Sequence, residues 1–234
     1  MNTRLSWLPN LFTSLTLISG FYAITLALDG AMNAAVRAIL VAMIFDFLDG
    51  WIARKTNTVS EFGKEYDSLC DMVAFGLAPA MVVYGVLTWD SILSWLIPAI
   101  YSCSVAMRLA RFNTKDAPSI NFQGLPCTAG GPFIVLMCYL MHEAINPVTS
   151  TVIASTTLAI GVLMNSTVNY RSLKKKQKFL GKKRLIAVAA LISVSVAYMP
   201  LKTITIILLL YIASPLLGAK AHFNQWKAKL AQHN

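Results

Sequence analysis

The sequence predicts an all-α polytopic membrane protein with about eight transmembrane helices. Of its 234 residues, 56% are hydrophobic and only 13% are charged, whereas soluble domains are typically about half apolar and about a quarter charged. Apolar stretches of roughly 17 to 25 residues, long enough to cross a hydrocarbon core of about 30 Å, recur along the chain. We therefore expect a single integral membrane domain over residues 1–234.

Eight apolar segments are the predicted spans, and the polar residues and turns between them set their bounds. Pro9 begins the first, because proline suits the first turn of a helix, and the turn Asp29-Gly30 ends it. We interpret this segment as a retained span rather than a cleaved signal peptide. Pro200 lies in the turn between the last two spans. The predicted spans are residues 9–28, 31–52, 62–87, 92–112, 128–141, 148–167, 185–198 and 204–217.

Basic residues lie mostly in loops on one side of the predicted bundle. The opposite side carries acidic residues such as Asp29 and a single lysine, Lys202. By the positive-inside rule, both termini face the cytoplasm. The net charge of +10 follows this topology, so we expect no nucleic-acid partner. Arg37, inside the second span, has no explanation in this scheme. The cationic loops are residues 54–64, 108–115 and 171–184.

The loop at residues 171–184 is densely basic and admits two interpretations. It can serve as a topology signal on the cytoplasmic side, which we favour. It can also attract anionic lipid head groups, at about 1 kcal/mol per basic residue near the surface.

Four aspartates, Asp46, Asp49, Asp67 and Asp71, interrupt two otherwise apolar spans. Residues three or four apart share a helix face, so each helix presents a pair of carboxylates. The short loop between these helices implies an antiparallel arrangement in which both pairs face one pocket. At a rise of about 1.5 Å per residue, Asp46 lies about 22 Å from the outer start of its span and Asp71 about 12 Å inside the next. The pocket is therefore expected just below the cytoplasmic surface.

Carboxylates this close need counter-charge, because their mutual repulsion is strong at low dielectric. Oxygen donors without a neighbouring metal-binding Cys or His pattern favour Mg²⁺ or Mn²⁺ over zinc. Two such ions commonly clamp a phosphate or pyrophosphate during displacement. Gly50 and Ala53 leave room for a ligand beside the same helix. The alternative, aspartates that cap helix ends or pair with Arg54 and Lys64, accounts for one acid but not for four.

The pattern D-x-x-D-G-x-x-A-R-x8-G-x3-D-x3-D is complete between Asp46 and Asp71. It resembles the signature of the CDP-alcohol phosphotransferases, integral membrane enzymes that displace CMP from a CDP-linked donor. The resemblance implies that the four aspartates Asp46, Asp49, Asp67 and Asp71 hold two divalent ions against the donor pyrophosphate. It also implies that Asp71 is the general base. The CDP-binding residues that it implies are Asn10, Thr13, Asp49, Gly50, Ala53, Arg54 and Gly63.

Three further stretches, residues 67–80, 108–113 and 122–126, are similar to the membrane-type phosphatidylserine synthases. The likeness implies transfer of a phosphatidyl group from CDP-diacylglycerol to L-serine with release of CMP, by a homodimer embedded in membrane lipid. One departure is Cys127-Thr128, where many relatives place a second proline. The resemblance implies a six-helix core with two C-terminal helices added. Within the single membrane domain, we expect a catalytic core at residues 1–170, a basic cytoplasmic loop at 171–184, and two helices with a tail at 185–234.

A serine acceptor carries a carboxylate that needs a cation and a hydroxyl that needs a base. Arg108 and Arg111, at the cytoplasmic end of the fourth span, can supply a guanidinium, and Asn113 or Gln123 can receive the ammonium. Asp71 is the candidate to take the hydroxyl proton. The alternative is that both arginines only fix a helix end at the membrane interface.

Other acceptors and another function class remain open at this point. Glycerol 3-phosphate or inositol phosphate would also use arginines, so Arg108 and Arg111 do not discriminate between acceptors. A cation-coupled transporter also carries intramembrane carboxylates, but its site usually lies near the midplane, between repeats and broken helices. Here the acids cluster near one membrane face on one helix pair, which favours the enzyme.

Overall fold

The computed structural model describes residues 7–89, 91–114, 122–170 and 199–231. Seven helices lie within these ranges. They are α1 (Trp7–Leu28), α2 (Met32–Thr56), α3 (Glu61–Val86), α4 (Leu93–Asn113), α5 (Cys127–Met141), α6 (Pro147–Asn165) and α7 (Pro200–Ala231).

Within the described ranges, the helices α1, α3, α4 and α6 are each long and apolar enough to cross a membrane. They confirm the predicted all-α polytopic membrane architecture, while the exact number of eight spans stays a prediction. The basic loop at 171–184 and the predicted seventh span at 185–198 lie outside the described residues. The predicted eighth span, residues 204–217, corresponds to the apolar part of α7, Pro200–Pro215, and Pro200 begins this helix rather than lying in the predicted turn.

Helices α1 and α2 form a tight antiparallel hairpin. Gly30 makes the turn with a φ of +72°, a conformation that glycine adopts without steric cost. On the other face of α1, Gly20 packs directly on α3, since a Cβ there would lie 2.6 Å from the Cα of Ala74. The start of α1, the end of α2 and the start of α3 are therefore gathered at one end of the bundle.

The connection between α2 and α3 is short and capped on both sides. Asn57 takes a left-handed conformation, φ 53°, and donates its N–H to the carbonyl of Ala53. Ser60 begins α3 by accepting the N–H of Gly63 at 3.0 Å. Helix α2 continues through Thr56, so Arg54 lies in a last helical turn rather than in the predicted loop. Basic residues suit that turn because they face the negative end of the helix dipole.

A π-helical turn, Met72–Leu77, interrupts α3 directly after Asp71. Pro79 has no N–H to give to the carbonyl of Phe75, four residues earlier, and the hydroxyl of Tyr101 on α4 donates to that carbonyl at 2.7 Å. Helix α5 approaches the same turn, because a Cβ on Gly131 would lie 2.7 Å from the oxygen of Phe75. Three helices are thereby locked together just beyond the aspartates.

The segment before α5 is fixed by a small antiparallel pairing of Phe122–Gln123 (β1) with Asn169–Tyr170 (β2). Tyr170 is buried, its ring lies 5.7 Å from that of Tyr211 on α7, and its hydroxyl donates to the carbonyl of Ile212 at 3.3 Å. Helix α7 also packs on α5. The C-terminal helix is therefore attached to the core on the side of the β1–β2 pair.

Candidate active site

Three carboxylates converge between α2 and α3. One ligand oxygen from each of Asp46, Asp49 and Asp67 lies within 4.8 Å of the other two. Asp46 and Asp49 come from adjacent turns of α2, and Asp67 comes from the facing surface of α3. Asp49 is buried and the other two are partly exposed, so the cluster lies at an opening of the bundle.

Asp71 lies one turn further along α3 and is only 7% exposed. Its Oδ2 accepts a hydrogen bond from the thiol of Cys127, with an S···O distance of 3.6 Å. Its Oδ1 is buried and has no hydrogen-bond partner in the described part of the chain. The charged side chains that act on Asp71 are Asp46, Asp67 and Arg108.

The donor set of this cluster fits hard divalent cations such as Mg²⁺ or Mn²⁺. All of its ligands are carboxylate oxygens, which these ions prefer. A buried carboxylate oxygen without a partner, such as Asp71 Oδ1, is costly unless a ligand or ion satisfies it. The group of three within 4.8 Å does not include Asp71. The three aspartates Asp46, Asp49 and Asp67 are thus the residues placed to share one ion.

The start of α1 contributes side chains to the same site. The Thr13 hydroxyl lies 2.8 Å from Oδ2 of Asp49, to which it can donate a hydrogen bond, and 3.0 Å from the Pro9 carbonyl. Asn10 lies beside α3, because a Cβ on Gly63 would be 3.6 Å from its Oδ1. The structure thereby places Thr13 on Asp49, and Asn10 next to Gly63.

Arg54 lies folded over Gly50 on the surface of α2. A Cβ on Gly50 would be 3.1 Å from Nη1 of Arg54, so the absent side chain makes room for the guanidinium. Arg54 is exposed, and its charge acts on both Asp46 and Asp49. Ala53, one turn after Asp49, adds little bulk to the same surface. These residues form the open rim of the aspartate cluster.

The two arginines at the end of α4 have different surroundings. Arg108 Nη1 donates to the sulfur of Cys127 at 3.2 Å, and its charge acts on Asp46 and Asp71. Its Nε is buried without a hydrogen-bond partner among the described residues. Arg111 instead donates to the carbonyls of Asn165 at 2.9 Å and Met164 at 3.3 Å, at the end of α6.

The remaining predicted acceptor residues lie on the polar rim. The Asn113 amide donates to Oε2 of Glu65 at 2.9 Å and to Oγ of Ser68 at 3.0 Å, linking the end of α4 to α3. Gln123 is exposed on β1. The structure therefore places Arg108 next to the aspartates, and Asn113 in contacts that join helices.

Two site features were not among the predicted residues. Cys127 bridges Arg108 and Asp71. Its only signal in the sequence was that Cys127-Thr128 stands after Gly-Leu-Pro, where many relatives place a second proline. Ser14 and Tyr66 share a hydrogen bond of 2.9 Å that holds α1 to α3 beside Asp67. Hydroxyl pairs of this kind carry no spacing pattern, so the sequence offered no signal for them.

Comparisons with known proteins identify the family of this sequence. The sequence model of the CDP-alcohol phosphatidyltransferase family matches residues 6–227. A CDP-diacylglycerol--serine O-phosphatidyltransferase of Helicobacter pylori is 33% identical over 211 residues, which is 87% of each chain. The archaetidylserine synthase of Methanothermobacter thermautotrophicus is 36% identical over 166 residues, 70% of this chain and 69% of its own. A CDP-diacylglycerol--serine O-phosphatidyltransferase of Bacillus subtilis is 32% identical over 172 residues, 73% of this chain and 93% of its own. The chain therefore belongs to the CDP-alcohol phosphatidyltransferase family.

Proposed function

We propose that this protein transfers the phosphatidyl group of CDP-diacylglycerol to the hydroxyl of L-serine and releases CMP. The observation that carries the proposal is the convergence of Asp46, Asp49 and Asp67 within 4.8 Å, with the buried Asp71 one turn away. The choice of serine is supported by relatives named for serine transfer, which cover most of this chain.

The donor occupies the opening of the aspartate cluster. Asp46, Asp49 and Asp67 with Asp71 would hold two Mg²⁺ or Mn²⁺ ions, and these would supply positive charge for the pyrophosphate and the leaving group. Thr13 orients Asp49 through its hydrogen bond of 2.8 Å. Asn10, Gly50, Ala53, Arg54 and Gly63 line the side on which the cytidine group binds.

Serine enters between the donor and Arg108, whose guanidinium pairs with the serine carboxylate. The serine oxygen attacks the phosphorus that bears the diacylglycerol, and the hydroxyl proton passes to Asp71. The bond from that phosphorus to the oxygen bridging it to CMP breaks, and CMP leaves with this oxygen. The buried and unpartnered Oδ1 of Asp71 is the atom best suited to accept the proton.

We further propose that the aspartate cluster and both termini face the cytoplasm, and that the protein acts as a homodimer. The cluster lies at the same end of the bundle as the basic residues Arg54 and Lys55, which the positive-inside rule assigns to the cytoplasm. Soluble serine and CMP reach this end from water while the diacylglycerol chains stay in the bilayer. The dimer rests on the resemblance to the family.

An acceptor screen tests the proposed reaction. Purified protein receives CDP-diacylglycerol and Mn²⁺ with serine, glycerol 3-phosphate or inositol phosphate, and CMP release is measured. We expect release with serine at a rate at least about tenfold above that with the two phosphates, since a matched acceptor group commonly contributes more than about 1.4 kcal/mol. A preference for either phosphate would overturn the serine assignment, and no release with any acceptor would overturn the reaction class.

The base assignment has its own test in Asp71→Asn. This variant keeps the shape of the side chain but cannot accept the serine proton, so we expect turnover to fall at least about a hundredfold. Binding of CDP-diacylglycerol, measured separately, should be largely retained. Asp29→Asn is the matched control, because Asp29 is exposed in the α1–α2 turn at the other end of the bundle. Substantial turnover by Asp71→Asn would remove Asp71 as the base.

A further inference from the structure

The thiol of Cys127 lies between the proposed base and the proposed carboxylate-binding arginine. Its sulfur is 3.2 Å from Nη1 of Arg108 and 3.6 Å from Oδ2 of Asp71, both within hydrogen-bonding range for sulfur. A thiol has one hydrogen to donate and lone pairs to accept with. Arg108 can only donate and an ionised Asp71 can only accept, so the direction of both hydrogen bonds is fixed.

The bridge engages only one side of each partner. Oδ1 of Asp71 and Nε of Arg108 are both buried and have no hydrogen-bond partner in the described ranges. Buried polar atoms are nearly always satisfied, so each of these two atoms can take a further partner. The thiol thus holds the two side chains by Oδ2 and Nη1 and leaves Oδ1 and Nε for the substrate.

The backbone that precedes Cys127 is hydrogen-bonded to the end of α6 and the segment after it. It is the first residue of α5, directly after a Gly-Leu-Pro turn. Gly124 donates its N–H to the carbonyl of Val168 at 2.9 Å, and Leu125 donates to the carbonyl of Leu163 at 3.1 Å. Gly124 and Leu125 therefore tie the turn that precedes Cys127 to α6 and to the segment after it.

We propose that Cys127 is a positioning residue for the phosphatidyl transfer, whose thiol holds Asp71 and Arg108 in the relative orientation that serine requires. The proposal rests on the proposed function, because it takes Asp71 as the base and Arg108 as the carboxylate partner. Without the thiol, Oδ2 and Nη1 lose their shared partner and both side chains can turn away from the acceptor. The loss should appear in the chemical step rather than in donor binding.

Three variants separate positioning from packing. Cys127→Ala removes the bridge, Cys127→Ser restores a donor and acceptor of similar size, and Cys138→Ala removes another fully buried thiol from the same helix. We expect kcat for CMP release to fall about tenfold in Cys127→Ala, with the KM for CDP-diacylglycerol changed less than twofold. Cys127→Ser and Cys138→Ala should stay within about threefold of the wild-type kcat.

A second readout follows metal binding rather than turnover. The rise in thermal midpoint on addition of Mn²⁺ should be largely kept in Cys127→Ala, because Asp46, Asp49 and Asp67, three of the four proposed metal-holding residues, are untouched. Loss of this rise would overturn the proposal, since the thiol would then support the metal centre or the fold.

The kcat values of the Cys127 variants also test the positioning role. Unchanged kcat in Cys127→Ala, or equal losses in Cys127→Ala and Cys127→Ser, would each refute a positioning role. The comparison is made with whichever acceptor the wild type uses. Failure of serine as acceptor therefore contradicts the proposed function, whereas the pattern among the Cys127 variants tests the thiol.

Discussion

Replacing Gly124 by alanine should both destabilise the protein and slow phosphatidyl transfer. Gly124 has a φ of +81°, and a Cβ at this position would lie 2.1 Å from the carbonyl oxygen of Met164. That oxygen also accepts a hydrogen bond of 3.3 Å from Arg111. The carbonyl cannot yield without disturbing the end of α6, so the turn leading to Cys127 must move instead.

Gly30 provides the comparison that separates the cost of a left-handed backbone conformation from the cost of steric overlap. Its φ of +72° is similar, but a Cβ there would meet nothing within 4 Å. Gly30→Ala should therefore cost only the left-handed backbone conformation, about 1–2 kcal/mol. Gly124→Ala adds an overlap with backbone, for which overpacking data indicate about 1–3 kcal/mol more.

The assay is thermal unfolding in detergent, followed by CMP release at a temperature where both variants are folded. One kcal/mol corresponds to about 2–4 °C for a chain of this size. We expect the midpoint of Gly124→Ala to lie below that of Gly30→Ala, and turnover to fall only in Gly124→Ala, because only that turn positions Cys127. Equal midpoints, or equal turnover, would refute the argument that this glycine is required by close approach.

Three further substitutions have defined outcomes. Thr13→Val removes the hydrogen bond to Asp49, and a hydrogen bond to a charged acceptor contributes about 1.5–3 kcal/mol. The value of kcat/KM for CDP-diacylglycerol should therefore fall about 10- to 100-fold. Thr16→Val, which loses only a bond within its own helix, should not lower it. Tyr101→Phe leaves a buried carbonyl of the π-helical turn without the hydroxyl that donates to it at 2.7 Å. The free energy of unfolding should fall by about 1–3 kcal/mol, which thermal unfolding measures. Arg111→Gln should lower the midpoint while the KM for serine changes little, and a large rise in that KM would return Arg111 to the acceptor site.

The long helices were predictable because apolar stretches of membrane length leave few alternatives. The predicted spans at 9–28, 62–87 and 92–112 agree with α1, α3 and α4 to within two residues. The end of α2 was less predictable, since Arg54 is polar enough for a loop and equally suitable for a last helical turn. The π-helical turn could not be predicted, because it depends on a hydroxyl donated by Tyr101 from another helix.

The site shows the same division between local and tertiary information. Asp46, Asp49 and Asp67 were predictable as neighbours because helix periodicity and a short connection bring their faces together. Cys127 is 56 residues from Asp71 in sequence, and no local pattern relates a thiol to a carboxylate across that separation. Only the path of the Gly-Leu-Pro turn over the end of α6 brings them together.

The two arginines of α4 show why residue type alone could not assign the acceptor site. Helix C-termini carry partial negative charge, so the end of α6 attracts a guanidinium as a carboxylate does. Arg111 meets that end, and the amide of Asn165 in turn donates to the carbonyl of Ser104 on α4 at 2.8 Å. Within the described ranges, this leaves Arg108 as the guanidinium directed at the aspartates from α4. A single guanidinium matches the single negative charge of a serine carboxylate, whereas a phosphate acceptor carries nearly two charges and favours a second cation. The separation of the two arginines therefore leaves a single guanidinium from α4 for the acceptor, which suits the carboxylate of serine.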